Sequence, residues 1–73
     1  MVRRDTFINF IRKLGYSYKS TQKRTFLYRK TGGTHFISVP KADNLGDAFV
    51  MSALHQAGVP EEKIKLFLAS AKS

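Results

Sequence analysis

The chain has no cysteine. That excludes a disulfide framework and thiolate chemistry, and it fits a reducing compartment, so the expected location is cytoplasmic. Acids are scarce too: five Asp and Glu stand against thirteen Lys and Arg. Asp43, Asp47, Glu61 and Glu62 each suit a loop or a helix start, where an acid complements the helix dipole. No two acids pair on a strand and the two histidines are far apart, so no metal site is expected, nor any cofactor. The apolar runs fall far short of the roughly 20 residues that span a bilayer. The basic start leads into no unbroken apolar segment, so no secretory signal is read there. At 73 residues the chain is one domain. A domain of that size buries only about 60% of the surface its unfolded chain exposes. One core is possible, and a deep enclosed catalytic cavity is not expected.

What the chain has is positive charge, unevenly placed. Residues 1 to 41 carry ten Lys and Arg against one acid, Asp5, a net of +9; residues 42 to 73 carry three Lys and four acids, a net of −1. Phosphate is the commonest biological partner for such a field, and nucleic acid is its commonest carrier.

The basic half centres on KSTQKRTFLYRKTGGTHFISVP, Lys19 to Pro40. Two β-forming runs, Thr25–Lys30 and Thr34–Val39, flank Thr31 and the pair Gly32-Gly33, which is expected to supply the positive φ angles of a tight hairpin. A two-residue Gly-Gly loop sets Lys30 opposite His35, Tyr28 opposite Ile37 and Phe26 opposite Val39. Phe26, Tyr28, Ile37 and Val39 then form the side covered by helices. Thr25, Leu27, Arg29, Phe36 and Ser38 form a more open one. Gly32-Gly33 opens no helix and so is no phosphate loop.

Helices flank the hairpin. Phe7, Phe10, Ile11 and Leu14 make one helical stripe over Thr6–Leu14, with Asp5 as expected N-cap and Gly15 as stop. Tyr16–Ser20 alternates as a strand, and Thr21–Arg24 reads as a turn or the start of the next strand. Pro40 ends the third strand and Lys41–Gly46 is a loop. Phe49, Val50, Ala53, Leu54 and Ala57 predict a helix over Ala48–Ala57, capped by Asn44 or Asp47 and ended by Gly58. Pro60-Glu61-Glu62 starts a last helix with Pro at its first position, Ile64, Phe67 and Leu68 form its stripe, and Ala69–Ser73 is expected to fray. The order α-β-β-β-α-α predicts an α+β, two-layer domain: a three-stranded antiparallel sheet with helices on one face and the other face free.

Leu14-Gly15-Tyr16, the basic linker, Phe26-Leu27-Tyr28-Arg29, Val39-Pro40 and Leu54-His55-Gln56-Ala57-Gly58 resemble the HicA-type toxins, small ribonucleases of toxin–antitoxin pairs with a fold similar to double-stranded-RNA-binding domains (dsRBD-like). The resemblance runs from about Phe7 to Phe67. It implies that fold, an RNA-facing sheet and an acidic, antitoxin-like protein partner. The chain departs from the family at its catalytic histidine, which follows Gly-Ser at the start of the second strand. Aligning Leu14-Gly15 and Tyr28 places Lys23, Arg24 and Thr25 there, and threonine cannot shuttle a proton as imidazole does. A family histidine shortly after Val-Pro is replaced by Lys41 or Ala42. His35 comes one strand too late; it reads as a half-buried histidine at the turn edge, with a displaced catalytic base as the alternative. His55 reads as helix surface.

The expected function is therefore RNA binding by a HicA-like domain without the family's ribonuclease activity. Phosphates would meet Lys19, Lys23, Arg24, Arg29, Lys30 and Lys41; Thr25 and Ser38 would bond 2′-hydroxyls; Phe36 would stack an unpaired base. Charge alone does not separate RNA from DNA. Two alternatives stay open: an active mRNA-cleaving toxin using His35, and a protein-interaction module using the free sheet face or its edge.

Overall fold

Apolar residues at helical spacing and at alternating spacing separate into the elements their periods demand. The computed structural model describes residues 1–71. Its elements run β1 (Val2–Arg3), α1 (Arg4–Lys13), β2 (Tyr16–Gln22), β3 (Thr25–Lys30), β4 (Phe36–Pro40), β5 (Asn44–Leu45), α2 (Asp47–Gln56) and α3 (Glu61–Ala71). The three long strands form an antiparallel sheet in the order β2-β3-β4, and β1 pairs with β5 in a separate two-stranded ribbon. The fold is α+β, as expected. The ribbon is an addition: Val2 and Leu45 pair across it and both are buried.

The ribbon moves the start of α1. The Arg4 N–H bonds the Asp43 carbonyl at 2.9 Å, and Arg3 takes the N-cap position without a side-chain cap. Asp5 therefore sits inside the first turn rather than capping it. At α2 the N-cap is Gly46, not Asn44 or Asp47; Asn44 is held in β5, and Asp47 lies in the first turn, 3.3 Å from the Met1 ammonium. Pro60 stands just ahead of α3, and its carbonyl accepts the Ile64 N–H at 3.1 Å. The expected fraying does not begin at Ala69, because Leu68 and Ala71 still pack on the core. Lys72 and Ser73 lie outside the described residues.

The core is the space between sheet and helices. Phe7, Ile11, Val39, Val50, Leu54 and Ile64 are wholly buried. Phe10 of α1 stacks on Phe67 of α3 at 4.3 Å between ring centroids, and Phe7 meets Phe49 of α2 edge-on at 6.0 Å. Thirteen apolar side chains make one continuous cluster, and no polar or charged residue among the described ones is buried in it.

The hairpin register is the expected one: Phe26 faces Val39 and Tyr28 faces Ile37, while Lys30 N–H bonds the His35 carbonyl at 3.0 Å. The turn differs in detail. Gly33 N–H bonds the Lys30 carbonyl at 3.0 Å, and of the two turn glycines only Gly32 has positive φ, at 77°. Thr31 and Gly32 are thus the central residues of the tight turn, and Gly33 does not supply a second positive φ. The strand pairing starts at Arg29 and Phe36, so β4 begins at Phe36 rather than Thr34. β2 runs on through Gln22 and leaves Lys23-Arg24 as the β2–β3 turn. A bulge between Tyr18 and Ser20 inserts Lys19 opposite a partner strand that has no extra residue.

Candidate functional site

The register assigns each side chain to a face. Ser17, Arg29 and Phe36 form one row across the uncovered face of the three strands; Ser20, Leu27 and Ser38 form the next; Gln22, Thr25 and Pro40 form the last. The middle of this face is half-buried Leu27, and short hydroxyl side chains surround it. Its one aromatic is Phe36, 42% exposed. The bulge turns Lys19 onto the same face, where its Nζ lies 5.0 Å from the Phe36 ring centroid. Arg29 stands beside Phe36 in the ladder, and its Nε bonds the Gly33 carbonyl at 3.0 Å, which anchors the guanidinium near the turn. Lys19, Arg29 and Phe36 thus form one cation–aromatic group on an open, hydroxyl-bearing surface.

The other predicted site residues separate. Thr25 lies on the open face but at its far end, half-buried. Lys23 and Arg24 are exposed in the β2–β3 turn. Lys30 and Lys41 are not on the open face with Arg29. Lys30 pairs with Tyr16 and its Nζ sits 5.9 Å from that ring, on the helix side at the hairpin end. The Lys41 Nζ lies 5.4 Å from the ring of Phe26, again on the helix side but at the opposite end of the sheet. The physical reason is the two-residue period of a strand: Lys30 follows Arg29 by one and must face the other way. Lys41 follows Pro40 out of the sheet and turns toward α1.

The sequence pattern missed Arg4, whose Cζ also lies 5.4 Å from the Phe26 centroid. Its Nη1 donates to the Lys41 carbonyl at 2.9 Å, and Lys41 N–H bonds the Arg24 carbonyl at 3.1 Å. These bonds tie the β2–β3 turn, the end of β4 and the start of α1 together. Arg4 stands next to the first apolar stripe, so its sequence position offered a helix-end signal and no more.

The ion pairs among the described residues are Met1 with Asp47 and Lys65 with Glu61. Neither involves a cation of the sheet, its turns or the Phe26 group. Among the described residues those cations make no ion pair, although Arg4 borders the same clefts as Asp5 and Asp43.

His35 is half-buried beside the hairpin turn, and its Nδ1 meets the hydroxyl of buried Tyr16 at 2.6 Å. Burial raises the Tyr16 hydroxyl above its ordinary value, so it keeps its proton at neutral pH. In the tautomer with the histidine proton on Nε2, the phenol donates and Nδ1 accepts. His35 is thus engaged with the helix side of the sheet. His55 is exposed in the last turn of α2.

Among the described residues no three His, Cys, Asp or Glu side chains come together as a metal site, and no helix is long and apolar enough to cross a membrane. The chain matches no protein-family model, no curated protein and no solved structure.

Proposed function

We propose that this domain binds RNA through the open face of its three-stranded sheet and does not cleave it. The observation that carries this reading is the Lys19–Phe36–Arg29 group, two cations that make no ion pair among the described residues, around the one exposed ring of a hydroxyl-lined surface. The cations suit phosphates, the ring suits a base, and Ser17, Ser20, Ser38 and Thr25 suit 2′-hydroxyls. The resemblance to HicA-type toxins supports the same surface and suggests an acidic antitoxin-like partner and a cytoplasmic setting. It does not support the family's catalysis. Thr25 stands where the family has its histidine, and His35 is turned toward Tyr16 on the other side of the sheet.

The test incubates the purified protein with labelled RNA and the equivalent DNA at low and moderate salt, scoring binding and cleavage together. The expected result is RNA bound intact, with affinity that falls steeply as salt rises. In the Lys19→Ala/Arg29→Ala variant that affinity drops. Cleavage that disappears in His35→Ala contradicts this reading and favours an active toxin. Absence of binding to either nucleic acid contradicts it too and leaves the face to a protein partner.

A further inference from the structure

The cations expected to form one patch form two aromatic stations on opposite sides of the same sheet, joined by the β2–β3 turn. On the open side Lys19 and Arg29 flank Phe36. On the helix side Arg4 and Lys41 lie over Phe26. Beside Phe26 is an open cleft of about 320 Å³ between α1 and the sheet, bordered by Arg4, Asp5, Tyr18, Thr21 and Tyr28 among others. Tyr18 is 55% exposed there; its ring stands edge-on to Tyr28 and its hydroxyl bonds that of Thr21. One ring face is therefore held in place at a solvent-open cleft. Phe36 sits at the hairpin end of the open face, and the rows of Leu27 and Thr25, with their hydroxyl neighbours, lead from it to the β2–β3 turn. Lys23 and Arg24 occupy that turn, and the bonds from the Lys41 N–H to the Arg24 carbonyl and from Arg4 to the Lys41 carbonyl tie it to the Phe26 station.

We infer that the ligand is a single RNA strand that runs from a base on Phe36 along the open face to the β2–β3 turn, passes its backbone over Lys23 and Arg24 there, and places a second base on Tyr18 with its phosphate held by Arg4 and Lys41. This rests on the RNA-binding reading above and specifies its substrate class. Two features select a single strand over a duplex. Bases stacked inside a duplex present no face to Phe36 or Tyr18. Stiffness then excludes the path itself. A double helix stays straight over about 50 nm, taking duplex DNA as the guide, whereas the domain is 17 Å across its thinnest dimension. A duplex can lie on one station; only a flexible strand reaches both.

The experiment measures fluorescence anisotropy with labelled oligouridylates of increasing length, across the roughly 4 to 16 nucleotides that small single-strand sites cover, and with a blunt RNA duplex. Proteins are the wild type, Lys19→Ala/Arg29→Ala, Arg4→Ala/Lys41→Ala, and Lys41→Ala alone. The single variant keeps the Arg4 bond to the Lys41 carbonyl if the double variant unfolds. On long single strands each double variant is expected to bind more weakly. Each is also expected to lower the steepness of the log-affinity against log-salt plot by about 1.4, from about 0.7 for each phosphate left without its cation. Lys41→Ala is expected to lower it by about half as much. On the shortest strand that binds, removing one station is expected to matter less than on long strands, because that strand occupies one station at a time. Long strands that bind with a normal salt slope in Lys41→Ala overturn the wrapped path while leaving the open-face reading intact. A duplex bound as tightly as the long single strand, with both stations contributing, also overturns it. No RNA bound by the wild type overturns the open-face reading itself.

Discussion

Tyr28 and Arg29 are neighbours in β3 and face opposite ways. Tyr28 looks toward the helices with Ile37 and Val39, all buried; Arg29 looks outward with Phe36 and Ser38, all exposed. The same three strands thus carry two surfaces with different work. One is apolar at its centre and crowded there with Phe7, Ile11, Leu54 and Ile64 from the helices, with Arg4, Lys30 and Lys41 only at its ends. The other is polar, cationic and open. The contrast teaches that in a very small domain strand alternation keeps the binding groups of the open face off the core. Substitutions of the buried apolar residues should therefore unfold the chain, and substitutions of the exposed cations and rings should weaken RNA binding.

The largest expected effect is on the covered side. Leu54→Ala opens a cavity in a wholly buried site and is expected to cost about 2–5 kcal/mol by urea denaturation. That is a large share of the roughly 5–15 kcal/mol that holds a domain folded, and RNA binding disappears with the fold. On the open side, Phe36→Ala is expected to weaken single-stranded RNA binding by about 1–3 kcal/mol, the range for removing one base stack. Its denaturation midpoint should stay within about 0.5 kcal/mol of wild type. A Phe36→Ala protein as unstable as Leu54→Ala would make Phe36 a core residue and break the contrast.

A smaller effect sharpens the account of the connections. Gly58 ends α2 at φ 83°, and a Cβ there would touch nothing within 4 Å. Gly58→Ala is expected to cost about 1–2 kcal/mol from backbone strain alone, read as a lower urea midpoint. RNA affinity of the folded protein is expected to be unchanged.

The smallest effect concerns Tyr16, whose hydroxyl burial raises above its ordinary value. The folded chain holds that proton more tightly than the unfolded chain, so the contribution is complete below pH about 10 and is lost as pH rises past it. Unfolding midpoints measured from neutral to alkaline pH are expected to fall less steeply at the alkaline end in Tyr16→Phe than in wild type. Equal slopes for the two proteins contradict the raised hydroxyl.

The order of the three helices and three long strands was legible because each carries its own period: Phe7, Phe10, Ile11 and Leu14 for a helix, Phe26 and Tyr28 against Ile37 and Val39 for a hairpin. The register followed from the turn, since placing Gly32-Gly33 at the tip fixes every pair behind it. The β1–β5 ribbon was not legible, because two residues have no period, and Val2 and Leu45 belong to no apolar stripe in the sequence. The helix caps failed for a related reason. Asp5 and Asn44 are good capping residues locally, but pairing between β1 and β5 decided where the helices start. Of the candidate site, the character was legible and the layout was not. Composition identified the cations and Phe36. Only the fold shows that the bulge brings Lys19 to Phe36, that Lys30 and Lys41 face the helix side, and that Arg4 joins Lys41 over Phe26.

The most direct measurement follows the backbone amide signals of isotope-labelled protein by NMR as a single-stranded oligouridylate is added. The account predicts shifts at Ser17, Lys19, Arg29, Phe36 and Ser38, with further shifts at Tyr18, Lys23, Arg24 and Lys41 where the strand continues past the β2–β3 turn, and with the amides of α3 unmoved. Shifts confined to α1 and α3, or no shifts at RNA concentrations well above those of the protein, would contradict an RNA-binding open face.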